Sequence, residues 1–263
     1  MSNPFPAVAE ASATGEIADL FADIRATVGV RVVNLVWRHL ATLDGALPWA
    51  WRAVKPLYLG GLPDNAAQRF RETMVVPDLA SLAGDEPPSV DAVLASYDHS
   101  NTVNLFALGG LVAWLRGEAA SGQPPGRGPR LAAPDVALPP LASEADVSSE
   151  TWARVLRLNH FGDRPQPLIL ASMYRHLAHA PAFLQRMEYV LAPAQADGSL
   201  GRAIATNHAT AHEAAKRLAQ AISAQRPPLA DRIESGVSAF VDHAIGKMVT
   251  ICRAIRVARG APL

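Results

Sequence analysis

The feature that most constrains this chain of 263 residues is that it carries one pattern twice. Residues 31–57 read RVVNLVWRHLATLDGALPWAWRAVKPL, and residues 164–193 read RPQPLILASMYRHLAHAPAFLQRMEYVLAP. Placing Trp37 on Tyr174 aligns Arg38-His39-Leu40-Ala41 with Arg175-His176-Leu177-Ala178, and with one gap Leu47 meets Phe183 and Val54 meets Val190. Upstream, Asp23-Ile24-Arg25 corresponds to Val155-Leu156-Arg157; downstream, Asp98-His99 corresponds to Asp242-His243. Self-similarity at half the chain length is the mark of a duplicated unit. The second copy has a longer approach to its second helix, which contains Asn159, His160, Asp163 and Arg164.

Each copy reads as five helices. Ile17, Leu20, Phe21, Ile24 and Val28 recur at helical spacing, which predicts a first amphipathic helix. The pattern predicts further helices over 32–43 and 47–57, a fourth capped by Asp64, and a long fifth from Ser89 to about Gly117. The second copy predicts the same series over 150–158, 167–178, 182–191, 200–223 and 229–259. Between the copies, residues 118–143 hold six prolines and three glycines without hydrophobic period, so they read as an extended linker. The expected division is a loose arm over 1–14, a repeat over 15–117, a linker over 118–148 and a second repeat over 149–263. No alternating β pattern competes, and the fold expected is all-α: two pseudo-symmetric five-helix repeats forming a pseudo-dimer. A fused pair can place unequal residues from its two halves around one shared site, which a true homodimer cannot.

Composition excludes several function classes. Hydrophobic residues make up 49% and charged residues 18% of the chain, which supports a packed core. Net charge is zero, so no nucleic-acid or anionic-membrane footprint exists. The longest apolar run, Leu105 to Leu115, is short of the ~20 residues a bilayer span needs. Glu10, Glu16, Asp19 and Asp23 precede the first cation, Arg25, unlike a secretory leader. With one cysteine, Cys252, no intrachain disulfide forms. A soluble cytoplasmic protein without cofactor is expected, with a homodimer left open.

The order of elements resembles the group I 2-haloacid dehalogenases, which act on both D- and L-2-haloacids. The similar residues are Gly15-Glu16 with Asp23-Ile24-Arg25; Leu40-Ala41-Thr42 followed by Leu47-Pro48 and Ala50-Trp51-Arg52; Tyr97-Asp98-His99-Ser100-Asn101; and Val190-Leu191-Ala192-Pro193. The resemblance implies an all-α pseudo-dimer with its site between the halves, where an aspartate activates water to displace halide from C2 with inversion. An asparagine that holds this water matches Asn101. Counted back from Pro181, the aspartate position is Met173, and residues 165–181 contain no acid. A thioether cannot take a proton from water.

The candidate site follows from these residues. Asp98, Asn101 and Asn104 on the fifth helix form a polar strip at spacing i, i+3, i+6, either a catalytic strip or a seam that fixes helix packing. Asp163, beside His160 and Arg164, is the nearest surviving acid that could act as base; a solvated Asp–Arg pair is the plainer reading. Asn34, Ser172 and Met173 are expected to line the cavity, with Asn104 as a further substrate-binding residue, and the expected partner is a small-molecule carboxylate. His208 and His212 have i, i+4 spacing, but Ala209 stands where a metalloprotease helix carries glutamate. No metal site is expected.

Overall fold

The structure, a computed structural model, describes residues 5–123, 125–131, 135, 137–162 and 169–262. Among them every regular element is helical. The first half forms α1 (Gly15–Val28), α2 (Leu35–Leu40), α3 (Ala46–Leu59), α4 (Leu62–Arg71) and the long α5 (Pro88–Arg116). The second forms α6 (Ser149–Asn159), α7 (Ser172–Leu177), α8 (Pro181–Ala196), α9 (Ser199–Ala219), α10 (Ala230–Ala239) and α11 (Gly246–Ala258). A π-helical turn at Phe240–Ile245 joins the last two, so the final helix expected from the sequence is divided where its register slips.

Two expected helices are shorter than their periodicity suggests, each for a specific reason. The Val33 N–H is taken by the Glu10 carboxylate at 2.8 Å, and Asn34 stays extended with its amide turned inward; α2 therefore starts at Leu35 rather than Val32. Buried Asn159 accepts from the Ala171 N–H at 2.9 Å and donates to the Ile169 carbonyl at 3.2 Å, which holds 169–171 extended until α7 starts at Ser172. Asp64, expected to cap α4, lies inside it and instead accepts from the Leu131 N–H at 2.9 Å.

Matching contacts recur where α2 and α7 meet the strands of chain that precede the halves. The Arg38 Nε donates to the Val8 carbonyl at 2.9 Å, and His39 Nδ1 lies 2.8 Å from the Pro6 carbonyl. Likewise the Arg175 Nε donates to the Ala142 carbonyl at 2.7 Å, and His176 Nδ1 lies 2.6 Å from the Pro139 carbonyl. The arm expected to be loose is thus pinned from Phe5 onward, where Phe5 packs edge-on against His39 and Phe240.

The packing units do not coincide with the sequence halves. One core joins α1 to α4 with the C-terminal part of α5, α9 and α10; the other joins α6 to α8 with the N-terminal part of α5 and α11. Helix α5 threads both, and its most extensive partner is α9. The two helices approach closely because Gly109 and Gly110 lack side chains: a Cβ there would stand 3.0 Å from the Ala215 Cβ and 3.2 Å from the Leu218 Cβ respectively. Replacing Gly110 by valine should wedge this crossing and lower stability by about 1–3 kcal/mol, read as a lower urea midpoint with unchanged helical circular dichroism.

Candidate functional site

A cavity of about 50 Å³ lies where α2, α5, α7 and the π-helical turn converge. On this scale a water needs roughly 10–15 Å³, so the space suits a ligand of few atoms. Asn34, Asn101, Ser172 and Met173 all line it, as do Ser96, Tyr97 and Ser100 of α5. The opposite wall is apolar, built from Leu35, Ile169, Phe240, Ile245 and Met248 among others. Among the described residues no charged side chain lines the cavity.

Helix α5 supplies the polar wall through Tyr97, Ser100 and Asn101, at i, i+3 and i+4. Ser100 and Asn101 are buried, and no hydrogen bond to the Asn101 amide exists among the described residues. Burial pushes the Tyr97 phenol up, only partly opposed by the neighbouring Ser172 hydroxyl; Tyr97 is therefore a donor at any physiological pH. The strip read from the sequence was centred one residue off this face. The spacing of Tyr97, Ser100 and Asn101 on one helix was the available signal. Nothing local marks the contributions of Phe240, Ile245 and Met248.

Two expected site residues lie elsewhere. Asp98 faces away from the cavity and is surrounded by guanidinium groups: Arg253 at 3.4 Å, Arg71 at 3.8 Å, and Arg256 in direct contact. Its carboxylate is committed to holding α5 against α4 and α11, the seam role rather than chemistry at the cavity. Asn104 is fully buried and does not line the cavity. All of its hydrogen-bonding capacity is used by protein partners: its Oδ1 accepts from the Tyr58 hydroxyl at 2.7 Å and the Trp37 indole at 3.2 Å, and its Nδ2 donates to Asn34 Oδ1 at 3.1 Å and the Ser100 carbonyl at 2.8 Å. Asp163 and Arg164 lie outside the described residues.

The remaining candidates separate. His208 and His212 stack with ring centroids 6.4 Å apart, but face different acids, Asp242 at 3.4 Å and Glu118 at 3.6 Å. Among the described residues no group of three or more His, Cys, Asp or Glu side chains comes together as metal ligands would. The Cys252 thiol is buried, donates to the Leu94 carbonyl at 3.2 Å, and is held protonated chiefly by burial. No described helix is long and apolar enough to cross a membrane.

This helical architecture is the fold of the D-2-haloacid dehalogenases. It superimposes on a solved D-2-haloacid dehalogenase in complex with L-LA at a TM-score of 0.72 and 16% identity, covering 98% of this chain and 97% of the other. A mutant of D-2-haloacid dehalogenase in complex with D-2-CPA gives a TM-score of 0.71 with the same coverage. In sequence, the chain is 28% identical over 223 residues to a configuration-inverting 2-haloacid dehalogenase of Alcaligenes xylosoxydans xylosoxydans, spanning 73% of this chain and 71% of that protein. A second such enzyme, from Pseudomonas sp. (strain 113), is 32% identical over a shorter segment of 76 residues, 29% of this chain and 25% of its own length. No family model matches the chain. The chain is thus similar in sequence to configuration-inverting 2-haloacid dehalogenases and shares the fold of the D-2-haloacid dehalogenases.

Two outcomes test the electrostatics around the cavity. Removing the Asp98 carboxylate leaves buried guanidinium groups uncompensated, so Asp98→Ala should cost about 3–5 kcal/mol in urea unfolding. His176 behind Tyr97 is buried with its Nε2 unpartnered, and desolvation pulls its pKa down to about 4. Its neutral form is thus fully stabilising above the unfolded value of about 6.5. That contribution falls away as pH drops from about 6.5 towards 4, because the unfolded chain binds the proton first. Stability should decline over that window by an amount on the order of 3 kcal/mol, and His176→Leu should flatten this part of the profile.

Proposed function

We propose that this protein binds a small 2-substituted carboxylic acid in the cavity between α2, α5, α7 and the π-helical turn, and that it does not displace halide efficiently. The observation that carries the reading is the buried Asn101 amide, which lines the cavity without a protein partner among the described residues. That amide opens onto the cavity, so its N–H groups are free to donate to a ligand oxygen. With no cation lining the site among the described residues, a carboxylate there must be solvated by donors, which Asn101 and the hydrogen-bonded Tyr97–Ser172 pair supply. The apolar wall accommodates the substituted carbon.

The chemistry is limited by what faces those donors. Met173 occupies the position at which the resemblance places the water-activating aspartate. Every other lining residue among those described is also uncharged, so no general base stands at the cavity among the described residues. The reading uses no metal or cofactor. It keeps the cytoplasm as the compartment and leaves a homodimer as the assembly to examine by sedimentation. Similarity to enzymes named for the D-acid and to configuration-inverting enzymes supports the acid class; the preference between enantiomers is open to direct measurement.

Titration calorimetry with D- and L-2-chloropropionate, alongside a chloride-release assay, decides the matter. Binding without chloride release is expected. Asn101→Ala should weaken that binding about tenfold, in line with the loss of one hydrogen bond to a charged group, while the thermal midpoint stays within a few degrees. Chloride release at about 1 per second or faster would overturn the reading and direct attention to Asp163.

A further inference from the structure

We infer that Trp37, Asn104 and Asn34 form a one-way hydrogen-bond relay that sets the Ser100 hydroxyl as a donor into the cavity, where it holds an oxygen of the ligand's carboxylate. The inference rests on the binding proposed above for the ligand, but its geometry stands without it.

The direction of each bond is fixed by chemistry. An indole N–H only donates, so the Asn104 atom 3.2 Å from Trp37 Nε1 is the oxygen. A backbone carbonyl only accepts, so the Asn104 atom 2.8 Å from the Ser100 carbonyl is the nitrogen. These two ends leave the Asn104 amide no freedom to flip. Its second N–H then meets Asn34 at 3.1 Å, which requires Asn34 to present its oxygen there. The Asn34 amide nitrogen is consequently turned onto Ser100 Oγ at 3.3 Å. Ser100 thus spends a lone pair on Asn34, and its own proton must go elsewhere.

That proton has no acceptor among the described protein atoms. A serine or threonine within a helix commonly gives its proton to the carbonyl one turn back, as Thr102 does to the Asp98 carbonyl at 2.6 Å. Ser100 makes no such bond, and it lines the cavity between Tyr97 and Asn101. Asn104 and Asn34 are therefore positioning residues in this account; Ser100 is the residue that touches the ligand.

A double-mutant cycle in the full-length protein tests the coupling. The dissociation constant for 2-chloropropionate is measured for wild type, Ser100→Ala, Asn104→Leu and the double variant. Each single substitution should weaken binding about tenfold, and the double variant should bind no more weakly than Ser100→Ala alone. Losses that multiply to about a hundredfold, or an unchanged constant in Ser100→Ala, would overturn the relay. Should Asn104→Leu fail to fold, Asn34→Ala completes the same cycle; if Asn34 itself binds the ligand, the losses multiply and the inference fails. If wild type binds no acid, the functional reading falls, and a high-resolution crystal structure of the free protein still decides the relay. An ordered water about 2.5–3.0 Å from Ser100 Oγ on the cavity side, absent in Ser100→Ala, supports it. A Ser100 hydroxyl bonded to the Ser96 carbonyl overturns it.

Discussion

The structure depends on the burial of α5 from nearly every side. From Val90 to Leu115 almost every residue of this helix is buried, because it passes through both cores instead of lying on either. A helix with no solvent face has nowhere to place polar side chains except against protein or ligand. Each polar residue along it therefore has to be accounted for. Asp98 answers to three arginines, Thr102 to its own backbone, His99 to the Val28 carbonyl, and Asn104 to four separate partners. Ser96, Asn101 and the Ser100 proton are the exceptions among the described residues, and all three lie at the cavity.

Close contact between α5 and α9 makes this burial feasible. Gly109 and Gly110 let the backbones approach until Ala215 and Leu218 fill the gap. Interior packing tolerates few voids larger than a water, so a 50 Å³ space beside such a helix is a consequence of how the surrounding ends meet. Here α2 and α7 are cut short by Asn34 and Asn159, and the π-helical turn shifts the register of the last helix at Phe240–Ile245. A π-bulge inserted in a helix frequently accompanies a functional site. In this protein it brings Phe240 and Ile245 to the wall opposite Asn101.

Much of the fold was legible from short-range pattern. The apolar spacing in 17–28 foretold α1, and the second copy of the repeated pattern at 182–191 foretold α8. The four identical residues at Arg38 and Arg175 proved to anchor corresponding contacts with the preceding chain. The cavity was half legible: Asn34, Asn101, Ser172 and Met173 were singled out and do meet. Asp98 and Asn104 were placed with Asn101 on spacing alone, yet they face elsewhere. Positions three apart on a helix differ by about 60° around its axis, and with neighbours on every side that angle separates an arginine cluster from a cavity.

The sequence by itself determined the helical class, the approximate extent of most helices, and the lack of any acid over residues 165–181, since each depends on residues close in the chain. Only the tertiary structure decided that the cores mix both halves, that Asp98 is a structural ion-pair centre, and that Trp37, Tyr58, Asn34 and Asn104 form one network. Those outcomes depend on contacts between residues 27 to 158 positions apart. A carboxylate or amide reads the same in a sequence whether it meets an arginine, a carbonyl or a ligand. Its partner is set by the packing that removes water from around it.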